Sequence, residues 1–242
     1  MKKTIVHLES LQKNFGGLVA VNIDSLDIYK NSITGLIGPN GAGKTTLFNV
    51  ICGNLKPENG DVYFLEEKIT SLKTFQIARL GIGRVFQISR IFKGLSVRDN
   101  LFLVPSKNTN LEVISKRIES LLNDFGLIDF SDNYAGILSY GQQKMLEFAR
   151  ILMMDPKIIL LDEPFSGLNP GEVEKLIKII RKLNSETDIA FLIIDHAVSI
   201  VLRLCERVVV LDQGKIIADG LPNEIEKNER CIEAYLGRPF DV

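Results

Sequence analysis

Nine consecutive residues, Gly38-Pro39-Asn40-Gly41-Ala42-Gly43-Lys44-Thr45-Thr46, have the types and spacing to hold a phosphate chain. They satisfy the pattern GxxxxGK[ST] directly after an apolar run and directly before a helical pattern. Gly41 and Gly43 let the backbone curl so that successive N–H groups point inward, and a helix N-terminus adds its positive end. Lys44 can reach the outer phosphates, and the Thr45 hydroxyl can ligate Mg2+. The chemistry implied is that of a nucleoside triphosphate. Kinases, GTPases and several classes of ATPase share such a loop, so other residues must choose among them.

Ile158-Ile159-Leu160-Leu161-Asp162-Glu163-Pro164 is a four-residue apolar run ending in two carboxylates. In a parallel sheet it delivers them to the same edge as the phosphate loop. Asp162 then faces Mg2+, and Glu163, one residue on, can polarise an attacking water. Two adjacent acids with separate roles suit hydrolysis. Leu138-Ser139-Tyr140-Gly141-Gln142-Gln143 precedes a helix with Met145, Phe148, Ala149, Leu152 and Met153 on its apolar face. Ser139 and Gln142 fit a capping box, so the helix starts here. Its first N–H groups, beside a glycine that lets a ligand come close, make a second candidate anion site; a merely well-capped helix reads the same way.

The elements that position these groups follow from periodicity. Ile33-Thr34-Gly35-Leu36-Ile37, the run from Ile158 to Leu161 and that from Ile189 to Ile194 predict buried parallel strands alternating with helices. Val173, Leu176, Ile177, Ile180 and Leu183 recur at helical spacing, opposite Glu172, Glu174, Lys175, Lys178 and Arg181. Val208 to Leu211, a turn at Asp212-Gln213-Gly214, and Lys215 to Ala218 predict a hairpin. Val6, Leu8, Val21, Ile23, Leu26 and Ile28 alternate as half-buried strands, predicting an antiparallel sheet at the edge of the parallel one. Residues 89–150 read as mainly helical, with a polar loop at Ser106-Lys107-Asn108-Thr109-Asn110. The expected fold is one α/β domain over 1–242. Its core spans 1–88 and 151–242 and includes the N-terminal antiparallel part; a helical subdomain at 89–150 is inserted in it.

Composition narrows the classes further. Of 242 residues, 45% are apolar and 24% charged, too apolar for disorder, and the net charge of −1 argues against a nucleic-acid partner. Cys52, Cys205 and Cys231 are odd in number and lack CxxC spacing, which fits a reducing compartment and no zinc site. No apolar run reaches the roughly 18–20 residues of a membrane span, and the N-terminus does not read as a signal peptide. The expected location is therefore the cytoplasm.

With these motifs in order, the sequence resembles the ATP-binding cassette family. The phosphate loop at 38–46 is followed by Val85-Phe86-Gln87, the signature at 138–142, the acidic strand, Ser166-Gly167-Leu168-Asn169 and then His196 after a strand. The resemblance covers essentially the whole chain. It implies that Phe15 stacks on adenine, though a core phenylalanine near a strand end reads alike. It further implies that Gln87 reaches Mg2+ or the attacking water, and that His196 contacts the γ-phosphate. His7 is assigned no role.

The same resemblance implies a head-to-tail dimer with each ATP between the Lys44 loop of one chain and Ser139 and Gly141 of the other. The second ATPase subunit is a copy or a sibling chain. Transmembrane permease subunits and a solute-binding protein upstream complete the expected assembly at the inner face of the membrane. Ile88, Ile91, Phe92, Leu95 and Val97 are candidates for permease docking, or alternatively helical core. Tyr140, Asn169 and Ala197 depart from the common Gly, Asp and Asp. The Ser-Tyr-Gly-Gln-Gln and Gly-Leu-Asn-Pro forms, with Phe15-Gly16-Gly17-Leu18 and Tyr235-Leu236-Gly237, look like the branch serving branched-chain amino-acid importers. ATPases for urea, amides or lipids share such forms, and a soluble ATPase without a transporter is a more distant alternative.

Overall fold

The computed structural model describes residues 2–104 and 110–234. Most of the polar stretch from Ser106, and Tyr235-Leu236-Gly237, lie outside the described residues. Strands β1 (Thr4–Phe15) and β2 (Leu18–Tyr29) form a long hairpin, followed by β3 (Ile33–Ile37) and helix α1 (Lys44–Ile51). Next come β4 (Asn59–Phe64), β5 (Glu67–Lys68), α2 (Thr74–Leu80) and β6 (Ile82–Val85). Three helices follow, α3 (Val97–Phe102), α4 (Leu111–Phe125) and α5 (Tyr140–Leu152). The chain then runs through β7 (Ile158–Asp162), α6 (Pro170–Thr187), β8 (Ala190–Ile194) and α7 (Val198–Leu204). A second hairpin, β9 (Arg207–Asp212) and β10 (Lys215–Gly220), precedes the short helices α8 (Pro222–Ile225) and α9 (Glu229–Ala234).

Six strands form one sheet in the order β10-β9-β3-β8-β7-β6, parallel except for β10. Every residue of β3, β7 and β8 is buried, because alternate side chains enter two different cores. Ile33, Ile37, Ile159, Leu161, Phe191 and Ile193 pack with α3, α4 and α5 and with α6 and α7. Leu36, Ile158, Leu160, Ala190, Leu192 and Ile194 pack with α1 and with the N-terminal strands.

The N-terminal strands form the expected antiparallel sheet, four-stranded in the order β2-β1-β4-β5 and separate from the parallel one. The physical reason is α1. Leu47, Phe48, Val50 and Ile51 need an apolar partner on the side away from the parallel sheet, and Val6, Leu8, Leu11, Val21 and Ile23 supply it. The two sheets meet where the Asn22 N–H donates to the Gly214 carbonyl, at 2.7 Å. The three cysteines are free and buried.

Register places the chemistry. Val85 pairs with Leu161 and Asp162 with Ile194, so the residues after β6, β7 and β8 leave the sheet side by side. Those are Phe86-Gln87, Glu163 and Asp195-His196. Among the described residues no helix is long and apolar enough to cross a membrane.

Candidate functional site

The loop between β3 and α1 closes on itself. The Ala42 N–H donates to the Pro39 carbonyl at 3.2 Å, and the Gly214 N–H reaches the Ala42 carbonyl at 2.9 Å. Gly43 precedes α1 with φ of 103°, and a Cβ there would stand 2.1 Å from the Ala20 carbonyl oxygen, so only glycine fits. No side chain caps α1, which leaves its first N–H groups available to a phosphate. Lys44 is buried, and its Nζ donates to the carbonyls of Gly38 (2.6 Å) and Pro39 (2.9 Å). Burial pushes its pKa down, while Glu163 and Asp162 pull it back up.

A cavity of about 760 Å3 lies over this loop. It is lined by residues 40–46, by Phe15 at the end of β1, and by Glu163 and His196. Phe15 is half exposed, so it is not a core residue, and Lys13 Nζ lies over its ring at 5.5 Å from the centroid. Glu163 sits at φ of 51°, a left-handed conformation uncommon for a residue with a side chain. Its N–H donates to the Ile194 carbonyl at 2.8 Å, which continues the strand pairing by one residue and turns the carboxylate toward the cavity. That carboxylate has two partners. Gln87 Nε2 donates to Oε2 at 2.7 Å, and His196 Nε2 lies 2.8 Å from Oε1.

Asp162 is buried at the end of β7, where its Oδ2 accepts from Arg84 at 2.7 Å. Arg84 also donates to Asn49 Oδ1 at 2.6 Å, and its guanidinium lies over the Phe86 ring at 4.8 Å. Sequence reasoning misses Arg84. Its signal is a charge inside the short apolar run Ile82-Gly83-Arg84-Val85, which demands a buried partner. Asp195 is missed as well; its Oδ2 accepts from the Phe165 N–H (3.1 Å) and its Oδ1 from the Ala197 N–H (2.9 Å). It thereby fixes the turns on both sides of His196 and after Glu163. Lys144 is a third, donating to the carbonyls of Glu163 (3.0 Å) and Pro164 (3.2 Å).

Ser139, Gly141 and Gln142 do not line the cavity. They start α5 with a reciprocal cap: Ser139 Oγ accepts from the Gln142 N–H at 3.2 Å, and Gln142 Oε1 from the Ser139 N–H at 2.9 Å. The open space expected beside Gly141 is filled. A Cβ there would stand 2.1 Å from Glu172 Oε1, because α6 begins against α5. Of the docking candidates, Val97 is fully buried, Ile91 and Leu95 are half-buried, and Ile88 (78%) and Phe92 (50%) are exposed.

A phosphate-binding loop between a central parallel strand, β3, and its helix, faced by acids from the end of β7 two strands away, defines a P-loop ATPase. Residues 21–166 match the ABC transporter family, and the chain belongs to that family. The high-affinity branched-chain amino acid transport ATP-binding protein BraF of Pseudomonas aeruginosa is 38% identical, over 98% of this chain and 99% of its own. The lipopolysaccharide export system ATP-binding protein LptB of Haemophilus influenzae is 37% identical, over 99% of this chain and 100% of its own. The crystal structure of the ADP conformation of an ATP-binding cassette of an ABC transporter superposes with a TM-score of 0.85 at 33% identity, covering 97% of this chain and 99% of that one. The chain is an ATP-hydrolysing subunit of an ABC transporter.

Proposed function

We propose that this subunit drives an importer of branched-chain or related amino acids from the inner face of the membrane. Two ATPase subunits, identical or sibling, would pack head to tail beneath a pair of permease subunits fed by a solute-binding protein. One observation carries the two-chain reading. Lys44, Glu163 and His196 share a cavity that Ser139, Gly141 and Gln142 do not reach, so a single chain offers only part of the donor set.

Within one chain the roles follow from position. The N–H groups of 40–46 and Lys44 Nζ bind the phosphates, Lys44 exchanging its two loop carbonyls for phosphate oxygens. Phe15 stacks on the base. Glu163 orients the attacking water and takes its proton; His196 and Gln87 hold that carboxylate in place. Thr45, Asp162 and Gln87 would hold Mg2+, an arrangement with few protein oxygens that suits an ion bound largely by phosphates and water. The ion would neutralise charge on the phosphates. Asp162 keeps Oδ1 for it while Arg84 occupies Oδ2.

The importer assignment rests on the similarity to BraF, with the Tyr140 and Asn169 forms pointing the same way. Lipid export is the second reading, favoured by LptB at nearly equal identity. Reconstituting the chain with its copurifying permease in liposomes separates them. ATP-dependent uptake of labelled leucine, isoleucine or valine is expected; a permease that moves lipid but none of these overturns the importer reading.

A further inference from the structure

The segment carrying Gln87 lies along one face of α5, and that face supplies its backbone partners. Tyr140 Oη donates to the Gln87 carbonyl at 3.2 Å. Two turns along the helix, Glu147 Oε1 accepts from the N–H groups of Phe86 (3.5 Å) and Arg90 (3.3 Å). Spacing of seven residues puts Tyr140 and Glu147 on the same side. Arg150 adds a bond to the Arg90 carbonyl and lies over the Phe92 ring at 4.7 Å. The Tyr140 ring is also wedged against the segment after β7: a Cβ on Gly167 would come within 2.9 Å of it. One helix thus grips the segment around Gln87 at both ends, while the Gln87 amide touches Glu163.

The start of the same helix holds Ser139 and Gly141, which on the reading above serve the partner chain's nucleotide, whereas Gln87 and Glu163 serve this chain's own. We propose that Tyr140 and Glu147 are positioning residues that hold Gln87 against Glu163, so that one helix face joins the two nucleotide half-sites of a chain. Glycine at position 140 would offer no hydroxyl and no ring, so the tyrosine found there is an added part. Displacing the signature end of α5 would drag the Gln87 carbonyl with it and change where the amide meets the carboxylate. Small misplacements of such groups are costly to catalysis. The inference rests on the two-chain reading only for which half-sites are joined.

The test uses the purified full-length chain with Tyr140→Phe, which keeps the ring and loses the hydroxyl, and Glu147→Gln, which keeps an acceptor and loses the charge. Tyr140→Phe is expected to lower kcat about three- to tenfold, as for one lost hydrogen bond, with KM for ATP and Tm unchanged. Hydrogen exchange of residues 86–92 should quicken in both variants while β7 stays as protected as before. In a Gln87→Ala background, Tyr140→Phe should cost less than about twofold more, since the group it positions is gone. Independent, multiplying losses would overturn the proposal, as would unchanged exchange at 86–92 in both variants. Glu163→Gln runs alongside. If it hydrolyses ATP like the parent, the assignment of Glu163 fails, and the exchange measurement still decides whether the helix positions Gln87.

Discussion

The two helix starts that carry the nucleotide-binding candidates are finished in opposite ways. At α1, Gly43 occupies the cap position, no side chain accepts from the first turn, and the free N–H groups open onto the cavity. At α5, Ser139 and Gln142 already satisfy each other, and the Glu172 carboxylate fills the space beside Gly141. Both ends have the helix dipole, but at α5 the Gln142 N–H is already given to Ser139. On the proposed function, a phosphate binds first and mainly at α1, and the α5 end contributes only when a partner chain's γ-phosphate displaces Glu172.

The sharpest way to break this contrast is at the α1 cavity. Glu163→Gln should slow hydrolysis by about 10²–10⁴ while ATP still binds, and should accumulate an ATP-bound dimer on gel filtration. Turnover at the parent rate would remove Glu163 from its role. Lys44→Ala should weaken ATP binding about 10- to 100-fold by equilibrium titration, since a charged donor to phosphate is lost. Ser139→Ala should act the other way round. Loss of the cap should lower Tm by about 2–4 °C and reduce dimer-dependent hydrolysis, with ATP affinity of the isolated chain untouched. If Ser139→Ala instead weakened ATP binding by the single chain, the two helix starts would not be the separate sites described here.

The smallest effect concerns Glu147 on α5. Burial raises its pKa above the usual carboxylate range, opposed by the N–H groups of Arg90 and Phe86 and by the charges of Arg150 and Lys144. A carboxyl with a raised native pKa holds its proton more tightly when folded. Its stabilising contribution is therefore present at acid pH and fades as pH rises through the native value. The Tm of Glu147→Gln should gain on the parent as pH climbs above about 4.3 and level off beyond the native pKa. A pH-independent difference would mean that the carboxyl titrates normally.

What was legible in the chain was what is local. The phosphate loop, the acids after an apolar run and the cap of α5 each occupy fewer than about ten consecutive residues, and backbone geometry alone gives them meaning. The amphipathic face of α6 is legible for the same reason. The short strands β4, β5 and β6 are not, because two to six residues carry too little periodicity. Arg84 is visible as a buried charge, but its partner Asp162 lies 78 residues away and only the sheet brings them together. Lys144 and Glu147 show the limit of helical patterning. As charged residues of an amphipathic helix they would be expected at solvent, whereas both are buried against the segments after β6 and β7. A pattern of faces tells which residues share a side, and not what covers it.

The separate N-terminal sheet has a mechanical consequence. Because α1 is sandwiched between two sheets, with Leu47, Phe48, Val50 and Ile51 buried, the helix behind the phosphate-loop motif is closely packed and has little room to shift. The segments bearing Gln87 and Ser139 are mounted differently, on a loop and a helix end held by side-chain hydrogen bonds rather than by packing on two faces. On the proposed function the anvil is the nucleotide's helix, and the yielding parts are those that would face other subunits.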